Sequence, residues 1–122
     1  MKIMINSYEV SSLLRKELPQ LRNTQACVQT SLEVYVFMNQ FADFTGDEVR
    51  HHHFSAARKC FMIAERLFRH GDAQVKQLIE NIFVFSFSTF MPQDEQERRV
   101  VRSIIPADLY RVYLRQVMQS GC

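Results

Sequence analysis

Helix-breaking residues are scarce in this chain, and they are regularly placed. Three glycines and three prolines occur in 122 residues. Pro19, Gly46, Gly71, Pro92 and Pro106 cut the sequence into intervals each long enough for a helix, glycine and proline being the residues that punctuate helices. Within every interval apolar residues recur three and four apart, which places them on one face of a helix. That punctuation predicts an all-α fold: a compact bundle of five or six helices in antiparallel hairpins, one domain over residues 1–122. With 47% hydrophobic residues the chain can bury a core without disulfide or metal staples.

Asn6 followed by Glu9 has the form of a capping box, in which each side chain takes up a free backbone N–H of the first turn. Val10, Leu13, Leu14 and Leu18 follow at helical spacing, and Pro19 ends a first helix of about 7–18. A second helix is expected from Thr24 to Asp43, with an inward stripe of Val28, Leu32, Tyr35, Val36, Asn39 and Ala42. Gly46 suits a left-handed stop, and Asp47 suits a cap for the next helix. A third helix then runs through the triple histidine to about His70, with Phe54, Ala57, Phe61, Ala64, Leu67 and Phe68 on one side and Glu65 paired with Arg69 on the other.

His70-Gly71-Asp72 reads as a joint between helices. Gly71 lies where positive φ is cheapest for glycine, and Asp72 can accept N–H bonds from the next first turn. The segment FVFSFSTF, 83–90, alternates like a strand, but Val75, Leu78, Ile79 and Ile82 before it have helical period and nothing interrupts the chain. A fourth helix to about Met91 is predicted, central and largely surrounded. Pro92 stops it. In QDEQERRVVRSII, 93–105, the four-apart pairs Asp94–Arg98 and Glu95–Arg99 support a fifth helix with Val100, Val101 and Ile104 inward. Beyond Pro106 a last helix carries Leu109, Val112, Tyr113 and Val117.

Gly71, Asp72, Val75, Leu78, Ile79 and Phe83 together resemble a pattern in a family of small, uncharacterised, all-helical bacterial proteins. Gln77 and Phe85 depart from it, standing where that pattern has Asn and an acid. The joint also resembles that of HEAT-like repeats, of which a solenoid needs about three copies; one copy is visible. The resemblance implies a helical fold and supplies no catalytic residues.

Chemistry is poorly represented. His51, His52 and His53 on one helix would point about 100° apart, and chelation from a helix needs partners three or four apart. Asp47 with His51, or Glu48 with His52, has that spacing, but two ligands do not make a site. Cys27, Cys60 and Cys122 have neither zinc-type nor disulfide-framework spacing, and Cys27 and Cys60 read as core residues. No nucleophile elbow, phosphate loop or dinucleotide glycine pattern occurs. The expectation is a non-enzyme with no metal and no cofactor.

The start lacks a secretory apolar region, and no stretch reaches the length of a membrane span. A cytosolic protein is therefore expected. Its net charge of +2 is unevenly distributed, with five arginines against one acid in residues 98–122. Arg98 and Arg102 are four apart, as are Arg111 and Arg115, with Tyr110 beside them, so each pair raises the local positive potential. These five residues form the candidate partner-binding site of a protein-interaction module, adaptor or immunity-like, whose partner is another protein or a second copy. The alternative function is a nucleic-acid-associated regulator using the same arginine face.

Overall fold

The computed structural model describes residues 4–18 and 31–119. Among them it forms six helices and no strand: α1 is Ser7–Glu17, α2 Ser31–Arg50, α3 Phe54–His70, α4 a rod over 73–90, α5 Glu95–Ile104 and α6 Ala107–Gln119. The all-α reading holds. Pro19, Thr24, Cys27, Val28 and Cys122, on which several expectations fall, lie outside the described residues.

The capping box of α1 is formed reciprocally. The Glu9 N–H donates to Asn6 Oδ1 at 3.0 Å, and the Asn6 N–H donates to Glu9 Oε1 at 2.9 Å. Val10, Leu14 and Leu18 are buried, as their spacing requires.

The expected stop in α2 is corrected, because the helix runs through Gly46 to Arg50. Buried Phe41, Ala42, Thr45 and Val49 carry one apolar face across the glycine, and burying Val49 holds the extra turn in place. Gly46 serves packing instead: a Cβ there would lie 3.1 Å from Phe90 Cδ2. The expected stripe is also corrected. Tyr35 and Val36 are about half exposed and Asn39 is exposed, whereas Val34, Phe37 and Met38 are buried. Asp47 caps nothing and pairs with Arg50 at 2.8 Å.

The triple histidine ends α2 rather than opening α3. The His53 N–H reaches Glu48 O at 2.8 Å and the His52 N–H reaches Val49 O at 3.0 Å. With His52 at φ 61°, these are the two bonds of a Schellman motif, whose left-handed residue is usually glycine. The left-handed stop foreseen at Gly46 therefore falls six residues later. Histidine, with asparagine and aspartate, is among the side chains enriched in that region.

The joint between α3 and α4 is where it was expected, but for a different reason. Gly71 has φ −76° and ψ 157°, ordinary extended backbone. Glycine is needed there for space, since a Cβ would meet Leu67 O at 2.4 Å and Val75 Cγ1 at 2.5 Å. Asp72 does cap α4, its Oδ1 accepting the Val75 N–H at 3.0 Å. The chain start is tied to this joint, with Ile5 N–H donating to His70 O at 2.7 Å and Asp72 N–H donating to Ile5 O at 2.8 Å.

Along α4 the pitch changes while the backbone stays in the right-handed helical region. Ala73–Leu78 is α-helical, Ile79–Phe83 is π-helical, Val84–Ser86 is a 3-10 turn and Phe87–Phe90 is α-helical again. Phe83 and Phe87 point into the core while Phe85, two residues from each, is 68% exposed. The alternating sequence is thus helical, although α4 has an open side and is not surrounded. Phe83 stacks on Phe41 at 4.8 Å and meets Phe61 edge-on at 6.0 Å, and Phe87 meets Phe61 edge-on at 5.6 Å. These four rings, all fully buried, form the centre of the core. In α5, Val101 is buried and Ile104 half-buried, but Val100 faces outward.

Candidate partner-binding surface

The last two helices meet at the bend that Pro106 imposes, and they carry all five candidate residues. Arg102 and Tyr110 are brought together: the Arg102 guanidinium carbon stands 5.7 Å from the centroid of the Tyr110 ring. That is cation–π distance. The Tyr110 ring lies 5.9 Å from Tyr113, whose ring lies 5.7 Å from Phe87. A chain of aromatic contacts therefore runs from the surface arginine to the core.

The other three arginines are engaged elsewhere. Arg98 does not pair with Asp94; it donates from Nε to Pro92 O at 3.2 Å and from Nη2 to Gln93 O at 2.9 Å, tying down the turn after α4. Asp94 instead caps α5, accepting the Glu97 N–H at 3.0 Å. The pair Glu95–Arg99 forms, at 3.3 Å.

Arg111 and Arg115, expected to raise the local positive potential, each have an acid beside them. Arg111 reaches Asp108 at 3.1 Å, and Arg115 reaches Glu80 on α4 at 3.5 Å. Asp108 also holds Arg69 of α3 at 2.9 Å, which pushes the Arg69 guanidinium further above its ordinary pKa. Both arginines therefore sit on a charge-compensated flank of α6, where exposed pairs contribute little to stability. Asp108, three residues before Arg111 on the same helical stripe, was the legible sign of this.

Two residues of the surface were missed in the sequence. Leu114 and Met118 follow Tyr110 at four-residue intervals on α6 and are 41% and 77% exposed. Residues four apart share a helix face and step about 6 Å along it. Arg102, Tyr110, Leu114 and Met118 thus make a ridge that is cationic and aromatic at one end and aliphatic at the other.

On the opposite side of α5, His52, Phe54, Asp94, Gln96, Glu97 and Val100 line an open hollow of about 350 Å³. Glu97 contacts His52 Nε2 at 2.5 Å, joining the turn after α2 to α5. His51 Nδ1 lies 2.7 Å from Asp47 O and His53 Nδ1 lies 3.4 Å from Glu48. Each histidine thus has its own neighbour. Among the described residues no three His, Cys, Asp or Glu side chains converge as metal ligands would. Cys60 is fully buried, and burial pushes its thiol up to about 11. No helix among the described residues is long and apolar enough to cross a membrane.

These features define an all-α protein whose most distinctive surface is a ridge on its last helical hairpin rather than an enclosed cleft. The chain belongs to a family described as a domain of unknown function, DUF7674, whose model matches residues 11–119. Membership agrees with the expectation of an uncharacterised helical family. Among curated proteins and solved structures, no match to the chain is found.

Proposed function

We propose that the chain is a non-catalytic helical module that binds another protein through the ridge Arg102, Tyr110, Leu114 and Met118, with Arg98 at its base. One observation carries this reading. Arg102 has no acidic partner among the described residues and lies over Tyr110, one and two helical turns from exposed Leu114 and Met118. An arginine on an aromatic ring beside apolar area is the composition enriched at the centres of protein interfaces. A partner segment offering a carboxylate and an apolar side chain would match it. Arg111 and Arg115, compensated by Asp108 and Glu80, are left to the rim.

A photo-crosslinking amino acid at Leu114, introduced in the native cell, tests the proposal. A covalent adduct with a protein is expected, lost when Arg102→Glu is added. An adduct with nucleic acid alone would favour the alternative reading, a nucleic-acid-associated regulator. In that case binding to an oligonucleotide should weaken with salt by roughly 0.9 log unit per log unit of salt for each phosphate neutralised. Protein adducts that persist in the Arg102→Glu variant would remove the ridge from the proposal.

A further inference from the structure

The two sides of α5 carry opposite chemistry. One side presents Arg102, continued on α6 by Tyr110, Leu114 and Met118. The other presents the hollow whose polar lining is Asp94, Gln96 and Glu97 and whose apolar lining is Phe54 and Val100. Val100 is 41% exposed. The hollow holds two carboxylates, Glu97 against the His52 imidazole and Asp94 accepting the Glu97 N–H, with no guanidinium or ammonium group in its lining. The ridge thus presents a cation beside exposed aliphatic side chains, and the hollow is concave and lined by carboxylates and apolar side chains.

From this complementarity we infer that the ridge of one copy docks into the hollow of a second copy, giving head-to-tail self-association. This rests on the reading of the ridge as a protein-binding surface and names its occupant. Arg102 meets the Asp94 and Glu97 carboxylates, while Leu114 and Met118 cover Phe54 and Val100. The two patches are on different sides of the same helix, so one molecule uses both at once without self-contact. An interface of two unlike patches is heterologous and extends beyond a dimer unless its rotation closes a ring. The patches are small, and interfaces at the low end of the size range are weak and transient. Association is therefore expected to be weak, and to weaken further as salt screens the charges.

Two variants used together provide the test. Arg102→Glu with Met118→Glu spoils the ridge and leaves the hollow; Gln96→Lys with Val100→Lys spoils the hollow and leaves the ridge. None of these four side chains has a hydrogen-bond or ion-pair partner among the described residues. Circular dichroism melts establish that both variants fold, and if one does not, Met118→Glu or Gln96→Lys alone replaces it. In sedimentation velocity over a concentration series, the wild type should grow past dimer. Each variant alone should lose every species above monomer, and an equimolar mixture should form a dimer and nothing larger, because each mixed pair retains one good joint. A wild type that stays monomeric, one that stops at a dimer insensitive to the hollow variant, or a mixture that stays monomeric would each overturn the inference. If the wild type is monomeric while Leu114 still crosslinks to a different protein in the cell, the second copy is ruled out and the protein-binding reading stands.

Discussion

Arg69 Nε lies 2.9 Å from Asp108 Oδ2, so one carboxylate on the last helix holds the third. Arg111 shares the same carboxylate at 3.1 Å, and Glu65 lies 3.8 Å from Arg69. Asp108→Asn should lower the urea midpoint more than Arg111→Ala, since it weakens a contact between helices as well as one within α6. High salt should shrink the difference, because the arginines are largely exposed. Equal midpoints would show that α6 is held by its apolar face alone.

The aromatic centre predicts a sharp contrast within FVFSFSTF. Phe83 and Phe87 are fully buried and touch Phe61, while Phe85 is 68% exposed. Phe83→Ala and Phe87→Ala should each cost about 3–5 kcal/mol in chemical denaturation. Phe85→Ala should change stability by less than about 0.5 kcal/mol. Had the segment been a strand, all three would share a face and behave alike. A large loss at Phe85 would show that its ring is covered.

The two glycines should respond differently to the same methyl group. At Gly71 the added Cβ meets a carbonyl oxygen at 2.4 Å and a branched side chain at 2.5 Å. Overpacking of that kind costs about 1–3 kcal/mol, so Gly71→Ala should destabilise more than Asp72→Ala, which loses a cap of about 1 kcal/mol. At Gly46 the nearest atom is a ring carbon of Phe90, at 3.1 Å, which has to give by only a few tenths of an ångström. Helix propensity favours alanine there by about 1 kcal/mol, so Gly46→Ala should be close to neutral. Melting curves of the three variants give the order directly.

What could be read from sequence divides along physical lines. Signals that close within one turn were legible: the Asn6–Glu9 box, the Asp72 cap and the Glu95–Arg99 pair are each formed by neighbours in the chain. The inward face of α2 was not, because its sequence offers two apolar stripes. Tyr35 and Val36 lose to Val34, Phe37, Met38 and Phe41 only because Phe41 meets Phe83, distant in sequence. Gly71 and Gly46 both read as positions of backbone freedom; Gly71 is instead small because the turn folds Leu67 and Val75 against it, and Gly46 because Phe90, distant in sequence, comes close. The same limit applied to the site. Arg102 over Tyr110 needs the Pro106 bend, and the Arg115–Glu80 pair needs α6 laid against α4. Met118, by contrast, was available from spacing alone.

The turn after α2 makes a prediction about His52, held at φ 61° by its neighbours. A left-handed conformation costs an ordinary L-residue about 1–2 kcal/mol, more for a β-branched one. His52→Asn and His52→Gly should therefore be tolerated, though both lose the contact with Glu97. His52→Val should destabilise clearly. If valine and glycine melt at the same temperature, the left-handed turn is absent in solution.

Cys60 supplies a prediction with a definite pH window. Its thiol is fully buried beside Thr45, and desolvation raises its pKa from 9.0 to about 11. In the unfolded chain the thiol ionises near its ordinary value, so above that pH the unfolded state loses protons that the folded state keeps. A raised folded pKa therefore contributes stability that is fully present below pH 9 and is lost as pH rises toward about 11. Two pKa units correspond to roughly 2–3 kcal/mol, an order-of-magnitude figure. Other groups titrate in this range, so the informative quantity is the difference between wild type and Cys60→Ala. The alanine variant should start less stable, from the lost sulfur packing, and decline less steeply between pH 9 and 11. Parallel curves would mean that the thiol is reached by water and ionises equally in both states. Thiol labelling of a variant retaining only Cys60 checks the same burial independently: the reaction should be slow in native buffer and fast in urea.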